Sequence, residues 1–171
     1  EGLVIAGPKG TREILNLIVN EPFTMPLDDL PYKVEVLELS GRENTLPFAT
    51  SVMELDHTSL TLGYRIHLEN KTIAYIPDTG FCRNALRLAR DVDLLITECA
   101  YLPDEHSDEW PHLNPQDAAK IAKESGAKQL ALVHFDAGRY TTLENRKDAE
   151  LHARKIFPNT IATRDDMQLH L

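Results

Sequence analysis

Long apolar runs are missing from this sequence, and with them any segment able to span a bilayer. A leader is missing too. The opening Glu1-Gly2-Leu3-Val4-Ile5-Ala6 has no basic flank and no cleavage pattern, so it does not read as a signal peptide. It reads as a strand entered without lead-in and without an initiator Met, so further residues are expected upstream. Cysteine is scarce: Cys82 and Cys99 lie in no C-x-x-C pair. Two such residues make no disulfide framework, and reduced thiols in a cytoplasmic protein are the expectation. An excess of positive charge is also absent. With 18 Lys+Arg against 27 Asp+Glu the formal net charge is −9, which argues against a broad nucleic-acid-binding surface but leaves room for a local basic groove. No internal repeat or low-complexity linker divides the chain, so residues 1–171 are assigned to a single domain.

What is present is ordinary for a globular protein: 42% apolar and 26% charged residues in 171, enough for one sizeable core. Leu3–Ala6 is a short apolar run closed by Gly7-Pro8-Lys9-Gly10. Ile14, Leu15, Ile18 and Val19 then recur at helical spacing behind Thr11, a candidate cap. After Pro22, Pro26 and Pro31, strands are predicted around Val34–Leu39, Phe48–Leu55, Leu60–Leu68 and Lys71–Ile76, the last two joined by Glu69-Asn70. Helices are predicted over 82–90, Pro115–Glu124 and Asn145–Phe157, the second capped by Asn114 and ended by Gly126. Buried strands at Asp93–Thr97 and Gln129–Val133 and terminal strands at Thr160–Thr163 and Met167–Leu171 complete the chain. Adjacent strands followed by alternating strands and helices imply a layered α/β fold.

Three strands run into side chains that suit a metal: His57, Asp78 and His134. Imidazole nitrogen and carboxylate oxygen fit Zn²⁺, Mn²⁺ or Fe, and a carboxylate can bridge two ions. Each residue alone has a plainer reading. A lone strand-end His is more often hydrogen-bonded structure, and Asp78-Thr79-Gly80 alone is a turn with a capping Asp.

Larger patterns add to this. His57 stands six residues ahead of Gly63-Tyr64-Arg65; Ala74-Tyr75-Ile76-Pro77-Asp78-Thr79 follows; then Asp93-Leu94-Leu95-Ile96-Thr97-Glu98-Cys99. Ala118–Ala122 leads to Leu130-Ala131-Leu132-Val133-His134-Phe135, with Arg139-Tyr140 behind. In order and kind these segments, with Gly7-Pro8-Lys9-Gly10, resemble the C-terminal part of a metallo-β-lactamase-fold hydrolase of the ribonuclease Z-like branch. Pro77 stands where that family usually has Gly. The resemblance implies the C-terminal portion of an αββα sandwich and two divalent ions, zinc first, with Mn or Fe as alternatives. His57 and Asp78 would serve one ion, Asp78 and His134 the other. It also implies a catalytic His112 near the scissile phosphate, although Leu113-Asn114 replaces the family's Ser-Thr, and an exposed loop His is the plainer reading. Glu98 could orient a ligand His, and Arg139-Tyr140 could face a phosphate.

The family's H-x-H-x-D-H motif is absent: no two of the seven His residues are separated by one residue. The resemblance would place it upstream of Glu1. Two ligands per ion bind weakly, so this chain alone is expected to be an incompetent enzyme. Lacking a second similar half, it is expected to expose an apolar face and to pair, aggregate or form a homo-oligomer. The long arm that grips tRNA in many ribonuclease Z enzymes is missing between the strands at Leu68 and Lys71. With the acidic charge, this favours a small phosphodiester over RNA as substrate. The expected function is thus a metal-dependent phosphodiesterase. A hydrolase of a lactone, thioester or other carbonyl substrate, or a non-catalytic scaffold, are the alternatives.

Overall fold

The computed structural model describes residues 2–40, 46 and 50–171. Strand β1 (Leu3–Pro8) and strand β2 (Val34–Leu39) form a parallel pair, connected through helix α1 (Thr11–Ile18) and a short 3-10 turn at Leu27–Asp29. The other strands form one six-stranded sheet in chain order: β3 (Thr50–Glu54), β4 (Leu62–Leu68), β5 (Lys71–Ile76), β6 (Leu94–Glu98), β7 (Leu130–Val133) and β8 (Thr160–Ala162). Helix α2 (Arg83–Leu88) joins β5 to β6, α3 (Pro115–Ser125) joins β6 to β7, and α4 (Leu143–Arg154) joins β7 to β8.

Strand direction decides where the chemistry sits. β3, β4 and β5 pair antiparallel, while β5 through β8 pair parallel. Two reversals bring β3 back to the direction of β5. The C-terminal ends of β3, β5, β6, β7 and β8 therefore open on the same edge of the sheet, the edge at which open α/β sheets hold their ligands.

The core lies between the sheet and its helices. Ile76, Leu95, Leu130 and Leu132 of the strands meet Leu88, Ile121 and Ala149 of the helices, all fully buried. The continuous apolar reading of β6 and β7 reflects that burial. Gly63 in β4 lets α2 approach, because a Cβ there would stand 2.6 Å from a Leu88 methyl. Arg65, two residues on, donates to the carbonyls of Leu88 and Arg90 and so closes the α2 C-terminus. The Gly63-Tyr64-Arg65 motif is thus accounted for by packing and capping. At the end of α3, Gly126 adopts φ 73, and its missing Cβ leaves room for Asp91. Asn114 caps the same helix by accepting the Asp117 N–H at 2.8 Å.

Several boundaries differ from expectation. The cap of α1 is Gly10 in a left-handed conformation; Thr11 instead turns its hydroxyl back to the Pro8 carbonyl. α4 begins at Leu143 because Thr142 and Asn145 form a reciprocal capping box. Met167–Leu171 forms no strand, and the short turn at Glu69-Asn70 does link β4 to β5. Phe48 and Ala49, the start of the predicted third strand, lie outside the described residues. Among the described residues, no helix is long and apolar enough to cross a membrane.

Candidate metal centre

His57 follows β3, Asp78 follows β5, Glu98 ends β6 and His134 follows β7, so all four residues stand on the shared edge. The loops that carry them are stitched to one another. The Gly80 N–H donates to the Asp56 carbonyl at 2.8 Å, and the Asp56 N–H donates to the Thr79 hydroxyl at 3.2 Å. His134 Nε2 stands 3.2 Å from Asp78 Oδ1. Its backbone has φ 51, in the left-handed region. A non-glycine residue held there carries strain of roughly 1–3 kcal/mol, the kind of feature that collects at functional positions.

His57 Nε2 is buried and has no hydrogen-bond partner among the described residues. Its other nitrogen meets only the Ser59 N–H, at 3.4 Å. A buried imidazole nitrogen without a partner is costly, and a cation would satisfy it once the ring proton sits on Nδ1 in place of the long Ser59 contact. The donor chemistry of His57, Asp78 and His134 therefore fits a divalent metal. The donor number falls short: among the described residues, no three His, Cys, Asp or Glu side chains converge closely enough to hold one ion. Asp78 stands beside His134, while the ring next to His57 is that of His112.

His112 comes from the loop before α3. Its ring centroid lies 5.2 Å from that of His57 and 5.9 Å from that of His134, so it sits between them. Its side chain is 9% exposed, which removes the exposed-loop reading. Nδ1 lies 2.6 Å from Glu98 Oε1. Glu98 is fully buried and holds three groups at once: His112, the Thr79 N–H at 2.8 Å and the Ala100 N–H at 3.0 Å. Burial pushes its carboxyl above the ordinary range, against the opposing pull of the Thr79 and Ala100 N–H groups and of His112. One buried carboxylate thus orients the imidazole and fixes the residue after Asp78. Sequence reasoning had Glu98 as a partner for a ligand His; its partner is His112. The available signal was a carboxylate closing an apolar strand, an expensive place for one without partners.

The remaining candidates fall elsewhere. Arg139 makes a two-pronged contact with Glu105, at 2.9 and 2.8 Å, and lies 5.0 Å over the Tyr101 ring. It ties two loops together and is committed to a carboxylate, not to a phosphate. Tyr140 is buried, and its hydroxyl donates to the Tyr101 carbonyl. His106 pairs with Asp108 in the exposed loop. Trp110 is 56% exposed beside His57 and His112.

Comparison with known proteins follows the same lines. A family profile described as "Beta-lactamase superfamily domain" matches residues 6–135. The ribonuclease Z of Chlamydia caviae is 33% identical over 157 residues, covering 86% of this chain and 47% of that protein. That of Exiguobacterium sibiricum is 37% identical over 216 aligned positions, covering 95% of this chain and 69% of that protein. An alignment longer than the chain means that this relative carries insertions. The metallo-β-lactamase fold protein YhfI of Bacillus subtilis superposes with a TM-score of 0.75 at 21% identity, over 95% of this chain and 62% of that one. The chain spans about half the length of the Chlamydia caviae relative.

Proposed function

The chain belongs to the metallo-β-lactamase superfamily, in its ribonuclease Z-like branch, and from that premise we propose that it carries part of the active centre of a metal-dependent phosphodiester hydrolase. The observation that supports this most directly is the meeting of His57, Asp78, His112 and His134 at one sheet edge, with His57 Nε2 buried and unpartnered. His57 and Asp78 would hold one divalent ion, and Asp78 and His134 the other, zinc being the first choice. Bound metal supplies a water of lowered pKa and draws charge from the phosphoryl oxygen.

The protein's own part is proton handling. The Glu98 carboxylate accepts the Nδ1–H of His112 and so orients the ring; Nε2, once it has taken up a second proton from solvent, would pass that proton to a departing alkoxide. Proton transfer by a positioned side chain of this kind contributes about 10²–10⁴-fold. The substrate is a phosphodiester. The name of the ribonuclease Z relatives carries this chemistry to an RNA strand, while the short β4–β5 turn favours smaller esters.

Zinc titration by calorimetry tests the ligand set. Uptake is expected to be weak, because each ion would have two protein ligands, and to be lost in Asp78→Ala, which removes a ligand from both. Undiminished uptake in that variant removes Asp78 from the site. In the intact enzyme, with zinc in excess, bis(p-nitrophenyl) phosphate should be hydrolysed faster than lactone or thioester probes. His112→Ala should lower that rate about 100-fold and leave zinc uptake unchanged. Turnover of the carbonyl probes alone would replace the phosphodiester reading.

A further inference from the structure

Beyond the sheet edge just described, a second concavity of about 380 Å³ lies between α4 and the terminal strand β8. Arg146, Lys147 and Arg154 of α4 line it together with Arg164, which follows β8, and the single carboxylate among its lining residues is Glu150. Four cations against one anion stand out in a chain of net charge −9. Glu150 is already spent. Burial alone would push its carboxyl up, but the Lys147 ammonium, the Ala162 N–H and Arg154 outweigh this and hold it below the ordinary range. Arg154 is spent as well, with Nη2 3.2 Å from Glu150 and Nε donating to the Thr160 carbonyl at 2.8 Å.

Arg146 and Arg164 are left over. Among the described residues, the Arg146 Nε is buried with no hydrogen-bond partner, and its guanidinium stacks 5.3 Å from the Phe135 centroid. Arg164 has no side-chain hydrogen bond or ion pair among the described residues, and it is exposed. Cations beside a terminal strand also guard it against pairing with other chains. Such guarding needs charges in solvent and does not account for a buried, unpartnered Nε. Phe135 is the residue after His134, and Arg164 follows β8 at the same edge that His134 occupies after β7. Both free guanidinium groups therefore stand at the end of the groove nearest the candidate metal centre.

We propose that Arg146 and Arg164 form a phosphate-binding subsite, which receives a phosphate of the substrate other than the one hydrolysed. This inference rests on reading the neighbouring sheet edge as a phosphodiester-hydrolysing centre. A guanidinium offers a planar set of donors to phosphate oxygens, and that of Arg146 is held over the Phe135 ring at 5.3 Å. The same phosphate chemistry can come from a free phosphate or from the backbone of a nucleic-acid strand.

The test needs neither metal nor turnover. A fluorescein-labelled single-stranded ten-nucleotide RNA is titrated by anisotropy into the 171-residue chain, and inorganic phosphate is used as competitor. Arg146→Gln with Arg164→Gln should weaken RNA binding about tenfold and reduce the slope of log affinity against log salt by about 0.7, the share of one phosphate on a single strand. The control Arg83→Gln with Arg87→Gln, on α2, removes the same charge and should have a markedly smaller effect. Competition by millimolar phosphate identifies a single-phosphate site. RNA binding that phosphate does not displace, yet that the groove variants weaken, identifies strand contact; either result supports the subsite. Equal losses in both double variants, or no loss in the groove variants, overturns it. Should Arg146→Gln disturb folding, Arg164→Gln alone, at an exposed position, must still halve the affinity or the proposal fails. Because zinc and hydrolysis are absent throughout, a failure here is separable from a failure of the metal-centre reading.

Discussion

The six-stranded sheet and the β1–α1–β2 unit answer the same amphipathic signal in opposite ways. In the first, the apolar faces of α2, α3 and α4 are covered, and residues such as Leu88, Ile121 and Ala149 are fully buried. In the second, α1 buries none of its residues, and Ile14, Leu17 and Ile18 are 58–70% exposed. β1 and β2 reach the rest of the protein through a small cluster of Leu39, Val52 and Leu62, with Ala6, Leu37 and Tyr64 around it. Helical periodicity therefore reports that a face is apolar, not that anything covers it. The candidate chemistry lies wholly in the covered region, where packing can hold side chains in one geometry.

The largest expected contrast comes from truncating the same residue type in each region. Leu132→Ala in β7 should cost about 3 kcal/mol, since it opens a cavity at a fully buried site. Leu17→Ala in α1 should stay within about 0.5 kcal/mol. Urea midpoints compare the two. A large loss at Leu17 would mean that α1 is covered in solution and would dissolve the contrast.

A smaller effect should come from Glu98. Its carboxyl is raised in the folded protein, so between the ordinary carboxylate value and the raised one the folded chain holds a proton that the unfolded chain has released. Stability then falls as pH rises through that window and levels off above it. Glu98→Gln should flatten that step in urea midpoints measured from about pH 4 to 8. An unchanged step would assign the titration to another group and weaken the view of Glu98 as the hub of the covered region.

The smallest effect separates two thiols a few residues from the site. Burial pushes the Cys99 thiol up to about 12, with the Tyr140 hydroxyl 3.6 Å away. Cys82 is only partly buried. At pH 8, which is about where a free thiol titrates, one thiol per folded chain should react with an aromatic disulfide reagent, and two after unfolding. Rapid reaction of both in the folded protein would show that the β6 end opens readily.

Much of the fold is legible in the sequence. Asn114-Pro115 and Gly126 bounded α3, because a cap, a proline at the first turn and a left-handed glycine are local demands of the backbone. His57, Asp78 and His134 stood out as strand ends, and their order matched a family. Where the sequence misled, the deciding contacts were remote or structural. Met167–Leu171 alternates like a strand but forms none, since a strand needs a partner and its own pattern cannot supply one. Arg139 suits a phosphate by type, yet Glu105, 34 residues away, already occupies it.

The sequence by itself determined which segments alternate, where helices begin and stop, and which residues could ligate a metal, since these follow from side-chain chemistry and short-range geometry. Only the tertiary structure decided that five strand ends share an edge, because that depends on the two reversals between β3 and β5. It also decided that Glu98 serves His112, that α1 stands bare and that Arg146, over the Phe135 ring, and Arg164 are without side-chain hydrogen-bond partners among the described residues. Each of these rests on atoms distant in the chain meeting in space, and no local pattern encodes how their charges and burial balance.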